Sequence, residues 1–216
     1  RPYFEVLLGV RDKHNDAVAA GDFIRAAQHY EQMPALDRWV MRSTFRWMAD
    51  HRRWLRHVAG FSVNLSPSAL QDENLTEYAL ELLNETGVPP GKLIFEITEA
   101  AAVQDAGPSQ NFLRTLSEVG CQFALDDFGG GDGSYGYLKQ LPVAYVKIDG
   151  QFTRELATDE ANLAAVQSLC EVAHFMGMKS VAEQVETVES LNALAGVGVN
   201  FVQGYCIERP CYFEAL

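Results

Sequence analysis

The stretch QFALDDFGGG (residues 122–131) has the pattern of a buried β-strand that ends in two acidic residues and several glycines. Its apolar part runs directly into Asp126 and Asp127. Adjacent carboxylates repel each other when water is partly removed from around them, unless a positive charge lies nearby. The stretch therefore predicts a strand whose end needs a cation.

Six further apolar runs share this pattern, and helical patterns separate them. They are YFEVLL (3–8), FSVNLS (61–66), KLIFEIT (92–98), AYVKID (144–149), SVAEQV (180–185) and NFVQGY (200–205). Strands that alternate with helices and lack a polar face indicate a mostly parallel sheet covered by helices. Seven such units without a linker-like segment predict an α/β fold, a TIM-like (β/α) barrel, as a single domain over residues 1–216.

Composition and charge argue against several classes of protein. Lys and Arg number 17 against 29 Asp and Glu, a formal net charge of −12, so general nucleic-acid binding is not expected. No run of about 18 uncharged apolar residues occurs, so no membrane contact is expected within this chain. The four cysteines form no C-x-x-C pair, which favours a reduced, cytoplasmic setting. Because the chain begins at Arg1 without a methionine, we expect a fragment of a longer protein.

Polar residues occupy the carboxyl-terminal half of one apolar run after another. They are Asn64, Glu96, Asp126, Asp127, Lys147, Glu183 and Gln203, and Glu5 inside the first run can join them. The carboxyl ends of barrel strands meet on one face, where barrel enzymes keep their catalytic residues. Any one such residue is more often a helix cap or turn former, but an acid inside an apolar strand is rarely buried without a partner.

This group contains five acids and one asparagine, with Lys147 as its only obvious cation. The excess negative charge predicts divalent cations, and oxygen ligands from Asp, Glu and Asn suit Mg²⁺ or Mn²⁺. Asp126 and Asp127 can reach two metals a few ångströms apart, or bridge them. Two-metal sites of this kind polarise a phosphate, generate hydroxide from water and stabilise the leaving oxygen.

Two other features carry weaker signals. The basic segment HRRWLRH (51–57) follows a predicted helix, and a solvated face is favoured there over an anion site. None of the five histidines falls at the end of a predicted strand, so a zinc site with histidine ligands is not expected.

The ordered motifs of the chain resemble those of the EAL domain family. YFEVLL, VNLSP, FEITE, DDFGGG, LPVAYVKID, VAEQVET and VQGYCIERP follow one another as they do in these domains, which hydrolyse cyclic di-GMP in bacteria. The resemblance implies a TIM-like barrel whose first strand is antiparallel to the others, in a domain that commonly forms homodimers. It also implies that the chain belongs to a multidomain signalling protein and hydrolyses cyclic di-GMP to linear pGpG, with two metals activating the water.

The resemblance further implies a set of metal ligands. Glu5, Asn64, Glu96 and Asp126 match ligands of a first Mg²⁺ or Mn²⁺ ion, and Asp127 matches a ligand of a second ion or a bridge between both. Ca²⁺ is expected to inhibit, because it is larger and acidifies water less.

The remaining site residues also follow from the resemblance. Lys147 resembles the lysine that orients the attacking water, and Glu183 resembles the glutamate that holds a metal directly or through water. Glu99 matches the glutamate that steadies the loop after the aspartate pair. The residues expected beside the substrate are Gln203, Leu7 and Arg11.

One departure from the family pattern concerns the substrate. The usual EALLR reads EVLLG here, so Gly9 replaces an arginine that helps to hold a substrate phosphate. Arg11 would take its place if residues 9 and 11 shared one strand, because alternation would put them on the same face. Two alternatives to the enzyme are a non-catalytic or weakly active receptor for cyclic di-GMP and a barrel enzyme that acts on another phosphate ester. Receptors of this kind typically lose metal ligands, and this chain keeps them.

Overall fold

The structure is a computed structural model that describes residues 1–103, 107–130, 135–154, 156 and 158–216. Its β-strands are β1 (Tyr3–Val6), β2 (Val10–Arg11), β3 (Ala17–Val18), β4 (Gly60–Asn64), β5 (Leu93–Thr98), β6 (Gln122–Phe128), β7 (Tyr145–Ile148), β8 (Lys179–Ala182) and β9 (Phe201–Val202). Its α-helices are α1 (Ala20–His29), α2 (Met33–Asp50), α3 (Pro67–Leu70), α4 (Leu75–Thr86), α5 (Glu99–Val103), α6 (Gly107–Glu118), α7 (Gly150–Thr153), α8 (Glu160–Phe175) and α9 (Val188–Gly196). Short 3₁₀ helices cover Trp54–Arg56, Pro90–Lys92, Tyr135–Gln140 and Phe213–Ala215.

The chain forms two compact units. Unit 1 consists of Arg1–Ile97 and Gln104–Gln122, and unit 2 consists of Thr98–Val103 and Phe123–Leu216. In unit 1, β4 pairs with β1 on one side and with β5 on the other. In unit 2, β7 pairs with β6 and β8, and β8 also pairs with β9. All of these pairs are parallel, so the seven apolar runs form parallel strands as their lack of a polar face predicts.

The first strand is parallel to its neighbour, contrary to the family resemblance. Tyr3 aligns with Gly60 and Val6 aligns with Val63, so β1 and β4 run in the same direction. The connection between them explains this orientation, because it contains α1 and α2 and forms the long crossover that parallel strands require. The prediction of an antiparallel first strand was wrong.

The burial of the strands follows from their apolar composition. In β5, residues Leu93 to Ile97 are all buried, so both faces of this strand are covered. The four residues of β7 are also buried, including a lysine. Among the described residues, no helix is long and apolar enough to cross a membrane.

The helices begin and end near the positions that their capping residues predict. Helix α4 ends at Gly87, whose φ of 60° is the left-handed conformation that glycine adopts most readily. Asp159 caps the amino terminus of α8 by accepting hydrogen bonds from the backbone N–H groups of Ala161 and Asn162. The helix predicted before the basic segment 51–57 is α2, and after a turn the 3₁₀ helix Trp54–Arg56 follows it.

Candidate active site

In unit 1, three of the predicted metal ligands lie at the ends of neighbouring strands. Asn64 is the partner of Glu96 in the β4–β5 register, and Asn64 Nδ2 donates a hydrogen bond of 2.8 Å to Glu5 Oε1. Glu5 is the register partner of Ser62. Ser62 and Asn64 are two residues apart in β4 and lie on the same face, so the side chains of Glu5 and Asn64 share that face. Glu96 is buried, with 3% of its surface exposed. The parallel register therefore gathers one amide and two carboxylates.

In unit 2, a buried lysine lies between two of the predicted acids. Lys147 Nζ is 2.7 Å from Glu183 Oε1 and 3.3 Å from Asp126 Oδ1, and only 3% of the surface of Lys147 is exposed. An ammonium group buried to this extent requires anionic partners. Lys147 is thus a cation beside the aspartate pair, as the sequence of residues 122–131 requires.

The second aspartate has an unusual backbone conformation. Asp127 has a φ of 56°, and the β6–β7 register shifts between Leu125 and Phe128. Such bulges interrupt the alternation of a strand and redirect side chains, often beside active sites. Partial desolvation, and then the neighbouring carboxylates of Asp126 and Asp149, raise the pKa of Asp127. The bulge therefore puts a second carboxylate where negative charge is already in excess.

Glu99 connects the turn after the aspartate pair to a 3₁₀ helix. It begins α5, and its carboxylate accepts hydrogen bonds from the backbone N–H of Gly129 at 3.2 Å and from the hydroxyl of Tyr137 at 2.7 Å. Burial and then this hydrogen bond raise the pKa of Tyr137. Gly129 has a φ of 96°, and a Cβ atom there would lie 2.7 Å from Leu169 Cδ1, so the turn requires glycine.

The three residues expected beside the substrate have different environments. Gln203 follows β9, and its backbone bonds to Ala182 O and Val185 N fix its position in unit 2. Leu7 follows β1 and is 55% exposed. Arg11 lies in the hairpin of β2 and β3, where its Nη1 donates to the carbonyl oxygen of Asn15 at 2.8 Å. Because β1 ends at Val6 and β2 begins at Val10, Gly9 lies outside both strands, so residues 9 and 11 do not share one strand.

Sequence reasoning missed one buried acid next to these strands. Asp37 of α2 is 5% exposed and accepts hydrogen bonds from the backbone N–H of Ser66 at 2.9 Å and from its hydroxyl at 2.5 Å. Ser66 caps α3 directly after β4, so Asp37 fixes the segment that follows Asn64. The sequence could have predicted the burial of Asp37, because its spacing puts it on the same helix face as the buried Met41 and Phe45.

The predicted ligands have the chemistry that a hard divalent cation prefers. They offer carboxylate and amide oxygens, the donors that suit Mg²⁺ and Mn²⁺. In the part of the chain that the structure describes, no group of three or more His, Cys, Asp and Glu side chains has an arrangement that would hold a metal. Glu5 is hydrogen-bonded to Asn64, and Asp126 and Glu183 are paired with Lys147. The donor set fits such a cation, and binding would compete with these internal contacts.

Comparison with known proteins identifies the family. The EAL domain profile matches residues 1–210. The chain belongs to the EAL domain family. This EAL domain is 40% identical over 211 residues to the cyclic di-GMP phosphodiesterase PdeB of Shewanella oneidensis, covering 97% of this chain and 24% of that protein. It is 33% identical over 208 residues to the cyclic di-GMP phosphodiesterase PdeF of Escherichia coli, covering 96% and 28%. The chain thus spans about a quarter of the length of these relatives.

Solved structures agree with this assignment. The EAL domain matches the PaMucR phosphodiesterase in its c-di-GMP complex with a TM-score of 0.89 and 32% identity, over 98% of this chain and 85% of that chain. It matches the FimX EAL domain of Pseudomonas aeruginosa bound to c-di-GMP with a TM-score of 0.87 and 28% identity, over 96% and 83%. These matches confirm the predicted α/β fold, the TIM-like barrel of EAL domains.

Replacing Glu99 by alanine tests its structural role. We expect Glu99→Ala to lower the free energy of unfolding by about 1–3 kcal/mol, because Gly129 N–H and the Tyr137 hydroxyl lose their acceptor. Tyr137→Phe should cause a smaller loss, since it removes only one of the two bonds. Glu118→Ala is the matched control, because Glu118 is exposed at the end of α6. Urea unfolding of all three variants gives the comparison, and equal stability of Glu99→Ala and Glu118→Ala would contradict the role.

Proposed function

We propose that this EAL domain hydrolyses cyclic di-GMP to linear pGpG. The observation that carries the proposal is the buried Lys147, which contacts both Asp126 and Glu183 near the carboxyl ends of the parallel strands β6, β7 and β8 in an EAL-family chain. Relatives of 40% and 33% identity are named cyclic di-GMP phosphodiesterases, which supports the same substrate here. The match of the EAL domain profile to residues 1–210 supports placing this activity in the chain.

The reaction would use two divalent cations, Mg²⁺ or Mn²⁺. We propose that Glu5, Asn64, Glu96 and Asp126 bind one ion and that Asp127 binds the second or bridges both, while Glu183 binds a metal directly or through water. Bound ions of this kind polarise a phosphate, lower the pKa of water and stabilise the leaving oxygen. The raised pKa of Asp127 supports the proposal, because it results from partial desolvation and then from the neighbouring carboxylates of Asp126 and Asp149, and a bound cation would favour the charged carboxylate against both effects.

Side chains that do not bind metal would position the attacking water and the substrate. A lysine ammonium has three N–H donors, and Glu183 and Asp126 account for two of them in Lys147. The ammonium group of Lys147 is proposed to orient the attacking water by hydrogen bonding to its oxygen. Gln203, Leu7 and Arg11 are proposed to contact cyclic di-GMP. Arg11 also donates a hydrogen bond to Asn15 O.

The remaining proposals concern the longer protein, the cellular compartment and the oligomeric state of the domain. We propose that it is one module of a longer multidomain signalling protein, that it acts in the cytoplasm and that it forms a homodimer. Its span of 24% of PdeB and 28% of PdeF supports the first of these. Sedimentation velocity over a range of protein concentrations tests the dimer.

Exchange of the metal tests the proposed activity. We expect hydrolysis of cyclic di-GMP to pGpG in Mg²⁺ or Mn²⁺, and a rate lower by about two orders of magnitude or more in Ca²⁺, with the affinity for cyclic di-GMP retained. Ca²⁺ takes more ligands at longer distances and acidifies water less, so the attacking water would be misplaced. Chromatography of the products and calorimetric titration in Ca²⁺ supply the two measurements.

The outcomes of this experiment separate the candidate functions. Equal rates in Ca²⁺ and Mg²⁺ would contradict the metal chemistry. Binding of cyclic di-GMP without turnover in Mg²⁺ or Mn²⁺ would instead identify a receptor. Absence of both binding and turnover would exclude cyclic di-GMP as the ligand.

A further inference from the structure

A basic pocket lies in unit 1, away from the residues assigned to hydrolysis. It has a volume of about 380 Å³, and four cations line it: Arg1, Arg52, Arg56 and Lys92. Leu55, Gly87 and Pro89 also line it, and no Asp or Glu is among the described residues of its wall. Sites for small molecules usually occupy about 300–1,000 Å³, so the pocket is large enough for a compact ligand. Three residues of the basic segment 51–57, for which the sequence favoured a solvated face, line this pocket: Arg52, Leu55 and Arg56.

The pocket lies at the amino-terminal edge of the parallel strands. Arg1 precedes β1, Arg52 and Arg56 precede β4, and Lys92 directly precedes β5. Asn64, in contrast, is the last residue of β4. A strand of five residues spans roughly 13 Å, so this pocket is separate from the carboxyl-terminal ends that carry the acidic residues. A ligand here would not occupy the proposed hydrolytic site.

Two of the four cations are fixed by backbone atoms. Arg52 Nη2 donates to the carbonyl oxygen of Thr86 at 2.6 Å, and Lys92 Nζ donates to the carbonyl oxygen of Val58 at 2.5 Å. Gly87 makes room for Arg52, because a Cβ atom there would lie 3.0 Å from Arg52 Nη2. These bonds orient the cations but leave their charges without a counter-ion, and they occupy one of five donors in Arg52 and one of three in Lys92.

The charge of the pocket contrasts with that of the whole chain. The protein has a net charge of −12, with 17 Lys and Arg in total, and four of these line one pocket. No ion pair joins any of the four to a carboxylate within the described residues. Like charges held together without counter-ions repel one another, and a multivalent anion would relieve that repulsion.

We propose that this pocket binds a small anion that carries two or more phosphate groups, either inorganic pyrophosphate or the diphosphate part of a nucleotide. Arginine matches phosphate geometry with paired N–H donors, and lysine supplies a point charge. Four cations suit a diphosphate better than a single phosphate, because each phosphate group then contacts two of them.

Calorimetric titration with inorganic pyrophosphate tests the proposal. The experiment uses the full chain at low ionic strength in EDTA, so that no divalent cation is available to bind phosphate at the proposed hydrolytic site. We expect one binding site per chain, weaker binding of orthophosphate, and a loss of affinity when salt is added. A parallel titration with GDP distinguishes the two sources of the diphosphate. Tighter binding of GDP than of pyrophosphate would indicate a nucleotide ligand, and equal binding would indicate that the pocket recognises the phosphate groups alone.

Charge-neutralising variants locate the binding site. Arg56→Gln should weaken pyrophosphate binding about tenfold or more, because Arg56 lines the pocket and makes no hydrogen bond that the fold requires among the described residues. Arg53→Gln is the matched control, since Arg53 is exposed in the same segment and does not line the pocket. It should change the affinity less than about twofold. Arg1→Gln added to Arg56→Gln should weaken binding further.

The outcomes decide the proposal independently of any activity. Unchanged thermal unfolding of Arg56→Gln shows that its effect on affinity is not a folding defect. A shift of the Gly87 amide resonance on titration would support the assignment, because Gly87 lies in the pocket wall. Absence of heat and of resonance shifts in the parent would overturn the proposal. An equal loss of affinity in Arg53→Gln and Arg56→Gln would also overturn it, since that result indicates diffuse attraction by the basic segment.

Discussion

Replacing Glu5 or Asp126 by alanine is expected to lower the rate of cyclic di-GMP hydrolysis by about 1,000-fold or more. Each carboxylate is a proposed ligand of the first metal, and a catalytic metal contributes several kcal/mol of transition-state stabilisation. The fold should persist. Asn64 is exposed and can bond to water when Glu5 is absent, and Lys147 retains its contact of 2.7 Å with Glu183 when Asp126 is absent.

The measurement is the rate of pGpG formation in excess Mg²⁺ or Mn²⁺, with circular dichroism to monitor the fold. Glu81→Ala is the matched control, because Glu81 is an exposed acid in the middle of α4. Its rate should equal that of the parent. Without metal, both site variants should unfold at or above the temperature of the parent, since each relieves repulsion among neighbouring carboxylates. A parental rate in either one would refute the assignment of that residue as a metal ligand.

The strands of this protein were predictable because their signal is local. Seven apolar runs bounded by polar residues and glycine became strands that pair in parallel, and the burial of β5 and β7 follows from their apolar composition. The pairing of Lys147 with acids was also predictable, since a lone lysine among acids in buried strands has few other partners. Local pattern and charge thus specify the strands and the pairing of this lysine.

Features that depend on contacts between distant segments were not predictable in the same way. The direction of β1 depends on its pairing with β4, more than fifty residues later, and not on the residues of β1 itself. The left-handed conformation of Asp127 depends on a register shift against β7, whereas its sequence suggests a regular strand. Arg11 lies in a hairpin because Val10 pairs with Val18. Periodicity in the sequence contains none of this information.

Replacing Lys147 by methionine is expected to lower the free energy of unfolding in EDTA by about 3–5 kcal/mol and to abolish turnover. Methionine has a similar length but no charge, so the carboxylates of Asp126 and Glu183 would face each other without a cation. Removing one partner of a buried ion pair has an effect of this size because the remaining charge stays buried and unpaired. Lys139→Met is the control, since Lys139 is exposed in the 3₁₀ helix Tyr135–Gln140, and it should change stability by less than about 0.5 kcal/mol.

Metal titration of the same variant tests where the cations bind. If Asp126 and Glu183 bind divalent ions, Mg²⁺ should raise the unfolding temperature of Lys147→Met more than that of the parent, because the ion replaces the lost positive charge and stabilises the folded state by mass action. Turnover should stay absent even in saturating Mg²⁺, because the ion restores charge but not the N–H donor proposed to orient the water. Equal stability of Lys147→Met and the parent in EDTA would mean that Lys147 does not stabilise the two acids. If Mg²⁺ raised the unfolding temperatures of Lys147→Met and the parent equally, the cations would bind elsewhere. Retained turnover in Lys147→Met would exclude Lys147 from the mechanism.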